Sequence, residues 1–180
     1  LTHPEVNYTI DILDYKKSDD AVITTESFLE GKDNVVKWKQ DGGWIEWVVD
    51  VEQEGLYSLL MEYYPLDGIG HDIEMQIMIN DELPFEGAMR ISFFRTWKDL
   101  TGILTDNRGN ELRPKQVEYP VWNQDYFKDK DGYTNLPYSF YFKKGRNTIR
   151  LFLTQESLAI SQLKIVNQSL SLKYEDMLEH

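Results

Sequence analysis

An antiparallel β-sandwich, all-β in class, is predicted by three features of the sequence. Apolar and polar residues alternate in short runs, turn residues separate those runs, and no stretch carries a sustained helical period. The plainest case is residues 42–64, GGWIEWVVDVEQEGLYSLLMEYY. There Ile45, Trp47, Val49 and Val51 alternate with Trp44, Glu46, Val48 and Asp50, so one pleated face is apolar and must be buried. After Glu52-Gln53-Glu54-Gly55 the period resumes, with Tyr57, Leu59, Met61 and Tyr63 inward and Ser58 and Glu62 outward. So short a connection has no room for a crossover helix, and antiparallel pairing of the two runs is expected.

Residues 1–20 read as a polar lead-in segment or linker, with Ile10, Ile12 and Leu13 as its apolar focus, and the sandwich is expected over residues 21–166. Two short strands, 21–28 and 35–38, flank the turn signal Gly31-Lys32-Asp33-Asn34. Beyond a glycine-containing loop at 65–71, Ile73, Met75, Ile77 and Ile79 form a further inward face that ends at Asn80-Asp81. The pattern breaks over 84–89. It resumes over 91–97, where Arg95 shares a face with Ile91, Phe93 and Trp97, placing Trp97 at the core or its margin. From 100 to 137 regular alternation stops, with Val117-Glu118-Tyr119 as the one candidate strand, yet the stretch is rich in aromatic residues. Disordered tracts are poor in rings, so an ordered loop that carries function is expected. Tyr138, Phe140 and Phe142, the turn 143–147, and Ile149, Leu151 and Leu153 read as a second hairpin. Residues 160–166 supply the last strand, and 167–180 an exit linker ending in a possible tag remnant, Leu178-Glu179-His180.

The chain has 180 residues, 41% hydrophobic, 28% charged and 13% aromatic, enough for one domain with a real core. It has no cysteine, which removes disulfides, thiolate metal sites and Cys nucleophiles. A formal net charge of -12 opposes binding to nucleic acid or anionic membranes. No run is long and apolar enough to span a bilayer, so no direct membrane insertion is expected, and Leu1 onward lacks the layout of a signal peptide.

Several motifs in order resemble a known group. They are Trp47-x-Val49-x-Val51, Gly55-x-Tyr57-x-Leu59, Ile79-Asn80-Asp81-Glu82 and Lys144-Gly145-x-Asn147-Thr148-Ile149. Together they resemble the galactose-binding-like jelly roll of carbohydrate-binding modules, families 6 and 35. Pro84-Phe85, the segment Arg108 to Pro114 and Gly132-Tyr133 are more closely similar to accessory domains of bacterial extracellular solute-binding lipoproteins of sugar ABC transporters. The resemblance implies a non-catalytic, extracellular module at the bacterial cell surface, linked to sugar uptake. Its partners would be an oligosaccharide or polysaccharide and neighbouring domains of a larger chain. Glu26 falls where those modules place an acidic ligand of a structural calcium. Thr24 and Ser161 or Gln162 stand where further carboxylates would be needed, so no cofactor is expected, with Ca2+ at Glu26 the lesser alternative.

Sugar recognition needs flat rings and planar polar side chains. Trp97, Trp122, Tyr126 and Tyr133 are the candidate rings, and Asn107, Arg108, Asn110, Arg113 and Asn123, with Asp106, the candidate hydrogen-bonding groups. Trp44 is a second-rank ring on the polar face of its strand. Asp125, Asp129, Asp131 and Gly132 lack the ligand spacing of a calcium loop and read as an acidic turn, and His3, His71 and His180 have no metal-ligand spacing. A purely structural or protein-interaction sandwich is the alternative reading. A glycoside hydrolase stands behind it, with Glu111, Glu118 and Asp125 as the carboxylates to test, because no nucleophile motif or phosphate cradle accompanies them.

Overall fold

The computed structural model describes residues 6–100, 104–112, 115–132 and 136–167. The strands are β1 (Tyr8–Thr9), β2 (Tyr15–Lys17), β3 (Ile23–Leu29), β4 (Lys32–Trp38), β5 (Trp44–Val51), β6 (Gly55–Pro65), β7 (Ile73–Ile79) and β8 (Ile91–Phe93). They continue as β9 (Trp97–Asp99), β10 (Leu104–Thr105), β11 (Glu111–Leu112), β12 (Gln116–Glu118), β13 (Asn123–Tyr126), β14 (Phe140–Phe142), β15 (Gly145–Gln155) and β16 (Leu158–Asn167). A 3-10 turn at Glu86–Met89 accounts for the break in alternation before β8.

Two antiparallel sheets face each other. In the first the order is β13-β6-β16-β4-β3, with β14 also on β6 and β1 also on β16; in the second it is β2-β5-β15-β7-β8. The inward faces are those the alternation predicts. Ile45, Trp47, Tyr57, Leu59, Met61, Ile73, Met75, Ile77, Ile149 and Leu151 are fully buried in one core. Each large side chain removed from water contributes roughly 1.5–3 kcal/mol, so this alternation is the main determinant of the sandwich.

Strand neighbours differ from expectation in two places. β5 pairs with β2 and β15, whereas β6 pairs with β13, β14 and β16, so residues 52–54 turn a corner between sheets and do not close a hairpin. Likewise β14 pairs with β6 while β15 pairs with β5 and β7. Two consecutive strands that both bury one face satisfy the same pattern whether they lie side by side or across the core. The two short strands expected on either side of residues 31–34 are β3 and β4, which pair as a hairpin around Glu30 and Gly31 with φ 46° and 88°, the left-handed pair of a tight two-residue turn.

The sandwich also starts before the expected boundary at residue 21. β1 and β2 belong to opposite sheets, and Ile10 and Ile12 enter the core. Val166 and Asn167 still pair with β6, and the expected exit linker beyond residue 167 lies outside the described residues. The irregular stretch 100–137 resolves into two parts. β9 pairs with β12 and β10 with β11, making a two-stranded arm. β13 then joins the edge of β6, and Phe127, fully buried, donates its N–H to Leu59 O. These strands escape an alternation test because they are two to four residues long and mostly exposed on the arm.

Candidate functional site

At the Pro65 end of β6 the outer face of the first sheet is covered by its own hairpin. β4 stays paired to β16 only from Trp38 to Val36; farther along, β1 takes that place at Lys164 and Ile165. The β3–β4 turn is thereby released and crosses the sheet. Two contacts pin it: Trp122 Nε1 donates to Glu30 O at 2.9 Å, and Lys32 Nζ lies 3.2 Å from Glu62 Oε1. Glu62 also accepts hydrogen bonds from Ser161 Oγ at 2.6 Å and Gln124 Nε2 at 3.0 Å. Burial alone pushes this carboxyl up, but the bonds from Ser161, Gln124 and Lys32 outweigh it and hold Glu62 below the ordinary carboxylate value.

Between this turn and the β6–β7 loop lies a pocket of about 210 Å3, lined by Leu29, Glu30, Lys37, Tyr64, Pro65, Leu66, Asp67 and Pro120. Tyr64 faces outward because Tyr63, its neighbour on a pleated strand, is buried. Trp122 backs it, ring centroid to ring centroid 5.4 Å. Burial raises the Tyr64 hydroxyl above its ordinary range, and the negative charges of Glu30, Asp67 and Glu118 raise it further, so the group remains a protonated donor. Among the described residues, Glu30, Lys37 and Asp67 make no ion pair.

The β6–β7 loop is held by Arg95, whose side chain is fully buried. Its guanidinium donates to His71 O at 2.7 Å, to Leu66 O at 2.9 Å, and to the carboxylates of Glu118 and Glu156. Gly68 belongs to the same knot: a Cβ there would meet the Glu156 carboxylate, so a larger residue would have to displace that group from Arg95. The shared face of Ile91, Phe93 and Arg95 was the sequence signal for this buried cation. The pocket itself, drawn from four separated stretches, left no comparable signal.

The sequence-derived candidates divide among several places. Trp122 and Asn123 flank the covered face; Asn123 Nδ2 donates to Thr96 Oγ1 at 3.3 Å, and the Trp122 indole N–H is engaged by Glu30. Tyr126 lies opposite Leu60 and is half-buried. Trp97, expected at the core or its margin, is 44% exposed on the arm, and its ring packs over Gly70. It sits on β9, beyond the reach of the second sheet, where the alternating face of β8 has already ended. Asn107, Arg108 and Asn110 form the exposed turn between β10 and β11, organised by Asp106. The backbone N–H groups of Asn110 and Arg108 lower the Asp106 carboxyl. Arg113 and Tyr133 lie outside the described residues. Trp44 is stacked by the Arg150 guanidinium at 4.1 Å.

Glu26 accepts from Thr24 Oγ1 at 2.9 Å, and among the described residues no group of three or more His, Asp or Glu could hold a metal. One carboxylate and one hydroxyl do not fit an ion that takes about six to eight oxygens. Asp129 closes a turn by accepting from the backbone N–H groups of Asp131 and Gly132, and Asp125 pairs with Lys128 at 3.1 Å. Glu118 is committed to Arg95, and Glu111 is exposed on the arm, so Glu111, Glu118 and Asp125 occupy three different strands.

The fold is shared with solved structures. The native structure of a family 35 carbohydrate-binding module from Clostridium thermocellum matches with a TM-score of 0.51 at 17% identity, over 89% of this chain and 97% of that one. The C-terminal family 6 module of LamC, a laminarinase of Zobellia galactanivorans, matches at 0.50 and 12% identity, over 89% and 99%. No family model matches the sequence, and no curated protein matches it. At such identities the likeness is one of architecture: the chain is an antiparallel β-sandwich built as these modules are.

Proposed function

We propose that this domain is a non-catalytic carbohydrate-binding module that seats one sugar residue of an oligosaccharide or polysaccharide in the Tyr64 pocket. One observation carries the reading: an aromatic face and two proline rings meet charged groups with no ion pair, Glu30, Lys37 and Asp67, in a pocket of about 210 Å3. Apolar C–H faces of a pyranose suit the ring and prolines, and its hydroxyls suit the carboxylates and ammonium. The space is below the ~300–1,000 Å3 of sites that engulf a drug-sized ligand, which fits a chain gripped at one residue. Trp122 acts as a positioning residue, holding the Glu30 wall and backing Tyr64.

A larger groove of about 640 Å3 lies at the opposite end, lined by Leu56, Leu83, Pro84, Phe85, Tyr141 and Lys143 among others. It is the poorer candidate because two of its polar side chains are already used: Tyr141 donates to Glu54, and Asn80 is spent on Asn147 and the Thr148 N–H. The wider setting we propose is extracellular, within a larger bacterial cell-surface protein linked to sugar uptake; this rests on the motif resemblance to lipoprotein accessory domains. The absence of turnover is part of the same proposal, supported by the commitment of Glu118 to Arg95.

A glycan array on the isolated domain tests the reading, with Tyr64→Ala as the variant. Tyr64→Ala is expected to weaken binding at least about tenfold, or about 1.4 kcal/mol, and Trp122→Ala to follow it. Array binding that Tyr64→Ala leaves unchanged moves the site elsewhere. Cleavage of any glycan on prolonged incubation removes the non-catalytic reading.

A further inference from the structure

The charge around the Tyr64 pocket points beyond saccharide binding in general. Resting on the reading above, we propose that the pocket selects amino sugars: it prefers a residue bearing a protonated amine to its neutral counterpart, and rejects one bearing a carboxylate. Of the lining side chains, Glu30 and Asp67 are anionic and only Lys37 is cationic. Arg95, which holds the adjoining loop through Leu66 O, adds little compensating field, because it is fully buried and shared between Glu118 and Glu156. The knot of Arg95, Glu118 and Glu156 is itself net negative. The carboxylates of Glu30, Asp67 and Glu118 all act on the Tyr64 hydroxyl, so a ligand atom beside that hydroxyl meets the same field. The whole chain adds a net charge of -12 to the background.

Position as well as sign supports the assignment. Glu30 is fixed at the tip of the crossing turn by the Trp122 bond to its carbonyl, and Asp67 lies in the loop that Arg95 pins through Leu66 O and His71 O. Two walls, each pinned through its backbone, therefore bring one carboxylate apiece to the same pocket. An ammonium entering between them is attracted to both, whereas a uronate carboxylate is repelled by both and finds only Lys37. Pairs of unit charges at contact distance near a surface interact by a few kcal/mol at most, and this is enough for about tenfold discrimination.

The test uses β-1,4-linked hexamers of glucosamine, glucose and glucuronic acid, which share a backbone, titrated calorimetrically into the full chain at mildly acidic pH. The expected order of affinity is glucosamine, glucose, glucuronic acid, with steps of about tenfold. In 1 M salt, where the screening length falls to about 3 Å, the steps narrow. In the Glu30→Gln/Asp67→Asn double variant the ratio of glucosamine to glucose affinity, read within that variant, falls to about one. A glucose or glucuronic acid hexamer that binds tightest, equal affinities, or no binding by any of the three overturns the selectivity. Tyr64-dependent binding to some other glycan on the array then leaves the binding reading standing, whereas loss of that dependence removes both.

Discussion

The two ends of the sandwich handle polar groups in opposite ways. At the Gly55 end, Asn147 is fully buried and its amide is consumed: Nδ2 donates to Lys143 O and Gly145 O, and Oδ1 accepts from Lys143 N and from Asn80 Nδ2. Asn80, at φ 52°, returns the favour by accepting from Thr148 N. These side chains complete turns and leave little for a ligand. At the Pro65 end a buried Arg95 draws three loops together, yet Glu30, Lys37 and Asp67 stand around a pocket without ion pairs. Cavity size and the use of polar groups part company here: beside the larger groove the buried amides are consumed by turns, whereas the smaller pocket gathers three charged side chains without ion pairs around one aromatic ring.

Removing the central group at each end is the strongest way to break that comparison. Arg95→Met leaves Glu118 and Glu156 without their cation, and taking one partner from a buried pair costs about 3–5 kcal/mol. Chemical denaturation should show that loss, and glycan binding should fall with it, because the β6–β7 wall loses its anchor. Asn147→Ala should cost about 1–3 kcal/mol through unsatisfied turn carbonyls and amides, and leave glycan affinity unchanged. If Asn147→Ala abolishes binding, or Arg95→Met leaves the midpoint of unfolding where it was, the two ends do not differ in the way described.

A smaller effect sharpens the account of the crossing turn. Glu62 has its carboxyl lowered in the folded chain, so its contribution to stability is complete above the ordinary value of 4.5 and drains away as pH falls through the lowered folded value. Wild type should therefore melt above Glu62→Gln at neutral pH, and the gap should close under acid. A gap that widens on acidification would mean that the hydrogen bonds from Ser161, Gln124 and Lys32 do not outweigh burial.

Much of the architecture was legible because burial leaves a period of two in the sequence, as in Ile45, Trp47, Val49 and Val51. What that period does not encode is the neighbour. Val51 and Tyr57 bury toward one core from opposite sheets, and a four-residue turn reads the same in either arrangement. Tyr8 and Tyr15 lay in a stretch too short and polar to reveal its strands, although each pairs with a central strand. The candidate site was legible only at its margin. Trp122 and Asn123 were visible as residue types suited to sugars, but Tyr64 sat unremarked at the end of a clear strand. Its partners Glu30, Lys37 and Asp67 come from elements whose convergence depends on β4 leaving the sheet beyond Val36.

The pairing of β1 with β16 has a topological consequence. Tyr8 lies opposite Ile165, and Asn167 N donates to Asn7 Oδ1 at 2.6 Å, so the chain enters and leaves the sandwich side by side. A polypeptide joined at both points would gain this domain as a pendant loop, with its own flanks held no farther apart than neighbouring strands. The same proximity allows residues 7 and 167 to be bridged by a short linker and the chain opened elsewhere, so the order of strands along the sequence can be rotated without moving any of them in space.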